Sequence, residues 1–394
     1  MPEYRADYDV VVVGARCAGS ATALLLARAG MRVLLLDRTH PARDTLSTHA
    51  LMRAGVLQLD RWGVLPRIVA AGTPPITATT FHYGERAETV ALATPLYAPR
   101  RPVLDTALLD AALGAGVEAR FGTTVVGVER DRSGRVVGAR YRVRGEHGAE
   151  EHTVSAALTV GADGLRSVVA RAVAAPATWQ GRAASACLYG YWPAAAATGY
   201  DWFYRPGRAA GIIPTNDGQV CIWTALPTRR FAQVRAVGLP AVFAEGLAGM
   251  RPEIDDVLAA LGVGADRTGP LRGFPGEPAV LRRPHGPGWA LVGDAGYFKD
   301  PLTAHGITDA LRDAELLARA AVDGGPAAFA GYEDRRDTLA RPLLEAAEPL
   351  TSYAWDLDGV EDLLRAESAA MRAEVAVVRA FGDPLDTTAL RTAA

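Results

Sequence analysis

Apolar and polar positions along the chain alternate in three distinct ways. Near the amino end, Tyr8–Val13 is a short apolar run, Ala18–Ala29 is helix-prone, Gly30 is placed to end a helix, and Met31–Asp37 is again strand-like. The order predicts strand, tight turn, helix, strand, a single βαβ unit. Two later apolar runs, Leu158–Ala162 and Trp289–Val292, stop at Asp163 and Gly293 and read as further strand ends. From about 180 to 275 the pattern changes to aromatic and β-branched runs such as Gly211–Pro214 and Val220–Ala225, with Asn216-Asp217-Gly218 between them as a hairpin signal. From about 303 to 347 the spacing becomes helical and alanine-rich, and a second helical stretch is expected after Pro349. No internal repeat is present.

Composition narrows the classes. A chain of 394 residues predicts one large mixed fold or two interleaved domains. Apolar residues at 49% and charged residues at 22% are those of an ordinary globular protein, which excludes a disordered or collagen-like chain. A formal charge of −2 leaves no basic field for nucleic acid or an anionic membrane surface, so neither is expected as a partner. Cys17, Cys187 and Cys221 lie far apart without a Cys-x-x-Cys, so no disulfide framework and no metal site is expected, and a reducing cytoplasm is the default location. No charged-then-apolar signal precedes the first strand, and Arg28 and Arg32 interrupt the apolar stretch from Ala21 to Leu36, so neither export nor a membrane span is expected. Lys299 is the single lysine.

Three stretches carry chemistry. Gly14-Ala15-Arg16-Cys17-Ala18-Gly19 follows the first strand and opens the first helix, and Asp37 closes the second strand 18 residues after Gly19. In a dinucleotide fold the first glycine permits the turn, the last permits close helix packing and the acidic residue accepts from a ribose hydroxyl. Arg16 stands where the middle glycine usually is, and its side chain is expected to fold aside and supply a cation near the pyrophosphate. Asp163-Gly164-Leu165-Arg166-Ser167, with Arg171 beyond, reads either as part of a cofactor site or as a turn with a helix cap. Gly293-Asp294-Ala295-Gly296, followed by Asp300-Pro301 and Gly306-Ile307, puts a carboxylate at a strand end and a helix terminus close behind it.

Together, in this order and spacing, the three stretches resemble the single-component flavoprotein monooxygenases of the para-hydroxybenzoate hydroxylase type, over nearly the whole chain. The last stretch is also similar to the geranylgeranyl-reductase and flavin-halogenase branches of that superfamily. The resemblance implies an α/β fold: a Rossmann-like FAD-binding domain (1–75, 100–178 and 276–330), an inserted antiparallel β-sheet substrate domain (76–99 and 179–275) and a C-terminal helical region (331–394). It implies FAD as cofactor, with Gly14, Arg16, Ala18 and Gly19 at the pyrophosphate, Asp37 and Arg38 at the adenosine ribose, and Val125 at the adenine. Arg101, in an Arg-x-x-Leu-x-x-x-Leu match to Leu104 and Leu108, falls at the cofactor's central portion. Asp163, Ser167 and Arg171 match the family's Asp-Gly motif, Asp294 the carboxylate on the ribityl chain, and Pro301, Gly306 and Ile307 the turn at the flavin ring.

Where the family has an arginine and then a glutamine-like residue, this chain has Ser47-Thr48-His49, and Ala304-His305 replaces a glycine-containing pair before Gly306. His49 and His305 are therefore the candidate acid or base residues, with a structural role for His49 equally open. The activity implied is hydroxylation of an aromatic or polycyclic small molecule by dioxygen through a flavin C4a-hydroperoxide, with NAD(P)H as transient electron donor. Alkene reduction of the geranylgeranyl-reductase type stays open. Halogenation needs an active-site lysine that Lys299, inside the flavin motif, is badly placed to supply, and a non-catalytic flavin-binding protein is the remaining alternative.

Overall fold

The computed structural model describes residues 7–40, 43–145, 148–194, 197–264 and 266–382, so the outer ends of the expected first and last segments, 1–6 and 383–394, lie outside the described residues. The first strand, β1 (Tyr8–Val13), pairs in parallel with β2 (Val33–Leu36) on one side and with the strand Gly148–Gly161 on the other. Both of its faces are covered, which is why Val10 to Val13 form an unbroken apolar run. The sheet continues beyond Gly148–Gly161 to Trp289–Leu291 and His285–Gly286, and beyond β2 to Glu118–Arg120. The βαβ unit is as expected, with helix α1 (Cys17–Arg28) buried from Cys17 through Leu26. Gly30, with φ +85°, ends it.

A second, seven-stranded sheet runs in the order Thr268–Phe274, Ser185–Pro193, Gln219–Pro227, Arg208–Thr215, Gly199–Arg205, Ile76–Tyr83, Arg86–Leu96. Its central hairpin turns at Asn216-Asp217-Gly218, where Asp217 and Gly218 have φ of +63° and +62°. The Asn216 side chain pins this tip to the first half of the fold, accepting from Arg100 N at 2.9 Å and donating to Ala71 O at 3.0 Å.

The alternation of this sheet sorts its side chains onto two faces. Tyr189, Tyr191, Trp202, Tyr204, Cys221 and Trp223 pack into the large core shared with the first sheet's helices. Leu188, Phe203, Ile212 and Ile222 pack on the other side, against the helices Val234–Ala248 and Arg251–Ala260. Those two helices interrupt a region expected to be all strand. Val242, Phe243, Gly246 and Leu247 form a helical stripe that covers the outer face.

Three long helices close the chain: Gly306–Asp323, Gly325–Ser352 and Leu357–Ala380. Pro349 lies inside the second rather than before a new one. The break comes at Tyr353, with φ +57°, and Asp356 caps the last helix by accepting from Gly359 N at 2.8 Å. No helix among the described residues is long and apolar enough to cross a membrane.

Candidate functional site

The amino-terminal turn is packed too closely for side chains. A Cβ on Gly19 would lie 1.7 Å from Gly14 O, one on Gly14 2.4 Å from Ala162 O, and one on Gly293 2.9 Å from the Ala18 Cβ. These contacts bring the first, second and third motif stretches together. Arg16 is the N-cap of α1 but makes no capping hydrogen bond, and no acidic residue lies in the first turn. The free amides of that turn, with the positive end of the helix dipole, therefore suit an anion.

Asp37 ties the turn to β2: one carboxylate oxygen accepts from Ala15 N at 2.8 Å, the other from Thr39 N at 2.7 Å. Arg38 beside it is exposed. Val125 is buried on the strand Thr123–Arg130 and packs with Val13 and Leu36, next to the end of β2. Asp163 takes the capping role: it accepts from the Ser167 hydroxyl at 2.5 Å and from Val168 N at 2.6 Å, and Ser167 caps the short helix after it. Arg171, on that helix, donates to Arg166 O at 2.5 Å in the turn before it.

Arg101 links the first motif to the third. At the start of the helix Arg101–Gly114 it is held by Asp105 at 2.9 Å, donates to Cys17 Sγ at 3.7 Å, and lies within electrostatic reach of Asp294. Arg16 is half-buried, and its charge is felt by Asp105, the partner of Arg101. Burial pushes the Asp294 carboxyl up to about 6, with Arg101 opposing the rise and Asp309 and Asp313 adding to it. Its oxygens accept no hydrogen bond from a described residue. A partly buried carboxylate with nothing to accept is a fitting partner for a hydroxyl chain.

The turn after it is built to present backbone. Asp300 accepts from Leu302 N at 2.9 Å and from Ser185 N at 2.6 Å, so it fastens the 3₁₀ turn Pro301–Thr303 to the start of an aromatic-face strand. Ala304 follows in the left-handed region, φ +50°, where glycine would carry no strain. His305 caps the helix Gly306–Asp323 without a side-chain bond, and a Cβ on Gly306 would meet nothing within 4 Å. Pro301, Ala304, Gly306 and Ile307 all keep accessible surface. The open turn, the uncapped amides at two helix starts and the unsatisfied Asp294 fit a phosphate-and-polyol cofactor such as FAD.

The two candidate histidines are each 1% exposed, so neither ring lines open space. His305 Nε2 is 2.6 Å from Glu374 Oε2 on the C-terminal helix. Around it Arg312 bonds Asp309 at 2.7 Å and Glu374 at 2.9 Å, and Lys299 pairs with Asp309 at 3.0 Å. Burial alone would raise the Glu374 carboxyl, but His305, Arg312 and Lys299 together hold it low, at about 2. His305, Asp309 and Glu374 are close enough to hold a cation. Arg312 and Lys299 already fill that role. Sequence reasoning missed this cluster, whose members come from three segments; the Arg101–Asp105 pair, four residues apart on a helix, had a readable signal.

His49 lies outside any strand and packs against the second sheet. Its Nε2 is 2.5 Å from the Tyr191 hydroxyl, its Nδ1 has no partner, and its φ is +71°. Burial, then Arg100, Arg101 and Arg272, hold it well below the usual histidine range, so it is neutral at pH 7. The backbone beside it is latched to the same sheet, Ser47 N donating to the Tyr189 hydroxyl at 3.1 Å. Of the aromatic rings on the strands between 185 and 227, Tyr189, Tyr191, Tyr200, Trp202, Tyr204 and Trp223 share this face, while Trp192 and Phe203 face the outer helices.

Comparison with known proteins agrees with this geometry. The chain is 27% identical over 371 residues to digeranylgeranylglycerophospholipid reductase 1 of Methanopyrus kandleri, covering 89% of this chain and 92% of that protein. Its fold is similar to the flavin-dependent brominase Bmp2, with a TM-score of 0.77, 19% identity and 98% of each chain covered. It is similar also to aklavinone-11 hydroxylase, solved with FAD and aklavinone, with a TM-score of 0.67, 22% identity and 89% and 71% of the two chains covered. Residues 7–236, more than half of the chain, match the FAD binding domain family. The chain belongs to that family and is an FAD-dependent oxidoreductase.

Proposed function

We propose that this oxidoreductase is a monooxygenase that hydroxylates an aromatic or polycyclic small molecule, with dioxygen as co-substrate and NAD(P)H as transient electron donor. The observation that carries the reading is the wall of six rings, Tyr189, Tyr191, Tyr200, Trp202, Tyr204 and Trp223, on the sheet face turned toward the FAD-binding half. These rings are packed in the core, at most 5% exposed, so they keep water from the junction of the two halves and would offer flat faces to a substrate admitted there. The neighbour solved with FAD and aklavinone supports a ring-bearing substrate. Three buried, unpaired thiols suit a reducing compartment such as the cytoplasm.

When bound and reduced, FAD supplies the electrons and the activation of dioxygen that no side chain can. The chain's own residues bind and orient. The first-turn amides of α1, presented by the close turn that Gly14 and Gly19 permit, with Ala18 beside them and Arg16 and Arg101 adding charge, would hold the pyrophosphate. Asp37 and Arg38 flank the adenosine ribose, and the Val125 backbone borders the adenine. Asp294 accepts from the ribityl hydroxyls. The turn from Pro301 to Ile307 offers helix-start amides that favour negative charge at the ring's carbonyl edge. His49, neutral and bonded to Tyr191, orients that phenol on the substrate side, and His305 is a positioning residue that ties the turn to Glu374.

A reductase is the second reading, favoured by likeness to the Methanopyrus kandleri reductase over nearly its full length. Halogenation is disfavoured, since the single lysine is buried against Asp309 and cannot reach a substrate. Oxidation of NADH and NADPH by the holoenzyme with a panel of aromatic compounds, with and without oxygen, separates the readings. Substrate-stimulated oxidation that stops without oxygen supports the oxygenase; substrate turnover under anaerobic conditions refutes it.

A further inference from the structure

One chain of buried hydrogen bonds ties the turn from Pro301 to Ile307 both to the second sheet and to the C-terminal helices. It begins at Asp300, 2% exposed, whose carboxylate accepts from Leu302 N at 2.9 Å with one oxygen and from Ser185 N at 2.6 Å with the other. Ser185 is the first residue of the strand Ser185–Pro193, which also carries Tyr189 and Tyr191 of the ring wall. Its hydroxyl, fully buried, accepts from the Tyr353 hydroxyl at 2.9 Å. A hydroxyl that accepts still has its own proton to give. The Ser185 side chain is accordingly among the donors that oppose the rise of the Asp300 carboxyl, which burial pushes up to about 6.

The far end of the chain is held in a backbone conformation that has a cost. Tyr353 follows the helix Gly325–Ser352 with φ +57°, where glycine would carry no strain but would bring no hydroxyl. Trp355 braces the break: its Nε1 donates to Leu350 O at 2.8 Å, and its ring lies 6.0 Å from that of Tyr353 and 6.4 Å from that of Tyr204. Phenol, hydroxyl and carboxylate thus run in series from the helix junction to the turn. Hydrogen bonds in such a chain polarise one another, so the outer link strengthens the inner one. The helix-start amides of the turn favour negative charge only where they are held in place, so whatever fixes Asp300 fixes their effect.

We infer that Tyr353 and Ser185 are positioning residues for the flavin: acting in series through Asp300, they hold the turn so that its amides stabilise the reduced ring. The inference rests on the turn bordering the flavin, as in the proposed function.

The test is the two-electron midpoint potential of FAD in the loaded protein, read by titration against a reference dye. Tyr353→Phe and Ser185→Ala change no formal charge. Each is expected to make the potential more negative by about 15 to 30 mV, which is a roughly three- to tenfold weaker hold on reduced relative to oxidised FAD. The double variant is expected to match Ser185→Ala alone, because a chain in series breaks once, whereas independent damage to packing adds. Either single variant is read by itself should the other not take up FAD. Gly306→Val probes the placement of the turn separately: a Cβ there meets nothing of the protein within 4 Å, so the new side chain disturbs FAD absorbance and affinity only if the ring lies against the turn. Disturbed FAD in Gly306→Val together with potentials unchanged or raised in the hydroxyl variants, or with additive shifts in the double variant, overturns the positioning chain and leaves the placement standing. FAD unaffected by Gly306→Val overturns the placement and the chain with it.

Discussion

Replacing Asp294 by asparagine is expected to stabilise the FAD-free protein and loosen FAD at the same time. Burial raises the carboxyl from 3.8 to about 6. A difference of that size corresponds to about 3 kcal/mol between the two protonation states, and about 2 kcal/mol is a fair expectation because the side chain keeps some accessible surface. An acid whose folded pKa lies above its unfolded one is no burden where both states are protonated, below 3.8. It costs the folded state progressively as pH rises toward 6, and the cost is complete above that. Asp294→Asn removes the ionisation and hence the cost. Urea unfolding of the FAD-free proteins is expected to show the variant about 2 kcal/mol more stable at about pH 7.5, and the gap should close toward about pH 4. FAD binding should move oppositely, weakening by roughly 1 to 3 kcal/mol, about tenfold or more in Kd, as a charged acceptor for the ribityl hydroxyls is lost. A variant no more stable at either pH refutes the electrostatic reasoning. An unchanged Kd for FAD refutes the placement of Asp294 on the cofactor.

Three further perturbations address other parts of the site. Gly19→Ala forces a Cβ to 1.7 Å from a backbone oxygen, so it is expected to cost at least about 3 kcal/mol of stability and leave the purified protein colourless; a yellow protein with unaltered Tm would contradict the close turn. Glu374→Ala strips the carboxylate shared by His305 and Arg312 and is expected to lower stability by about 3 to 5 kcal/mol by chemical denaturation, with Glu374→Gln milder; a loss below about 1 kcal/mol would show that the cluster braces little. Arg16→Gly is expected to weaken FAD by up to about tenfold, and more so at low salt, if its charge serves the pyrophosphate; a Kd unaffected at any ionic strength would remove that role.

The parts of this fold that were legible in the sequence are those fixed by neighbours along the chain. The strand-turn-helix from Tyr8 to Arg28 shows in a few adjacent residues, because the turn needs Gly14 and the helix packing needs Gly19. The Asn216-Asp217-Gly218 hairpin shows for the same reason. Residues whose roles depend on distant partners did not show. His305 read as a flavin neighbour, yet its imidazole is held by Glu374, 69 residues away. Asp163, by contrast, was read either as a cofactor residue or as a helix cap, and its oxygens cap residues four and five positions on. The ion pairs of Asp44 with Arg100 and Arg272 join three segments that no spacing connects. The helices between 234 and 260 were hidden because an apolar run long enough for a strand is also long enough for two helical turns, and only the sheet's uncovered outer face decides between them.

The central claim is that the FAD-binding half and the ring wall cooperate in oxygen transfer. Turnover under ¹⁸O-labelled dioxygen, with the tightest-binding aromatic compound and NAD(P)H, tests it directly by mass spectrometry of the product. The account predicts one labelled oxygen atom in each product molecule and none from labelled water. A product formed without label, or formed equally well in the absence of oxygen, would contradict it and assign the chain to the reductases.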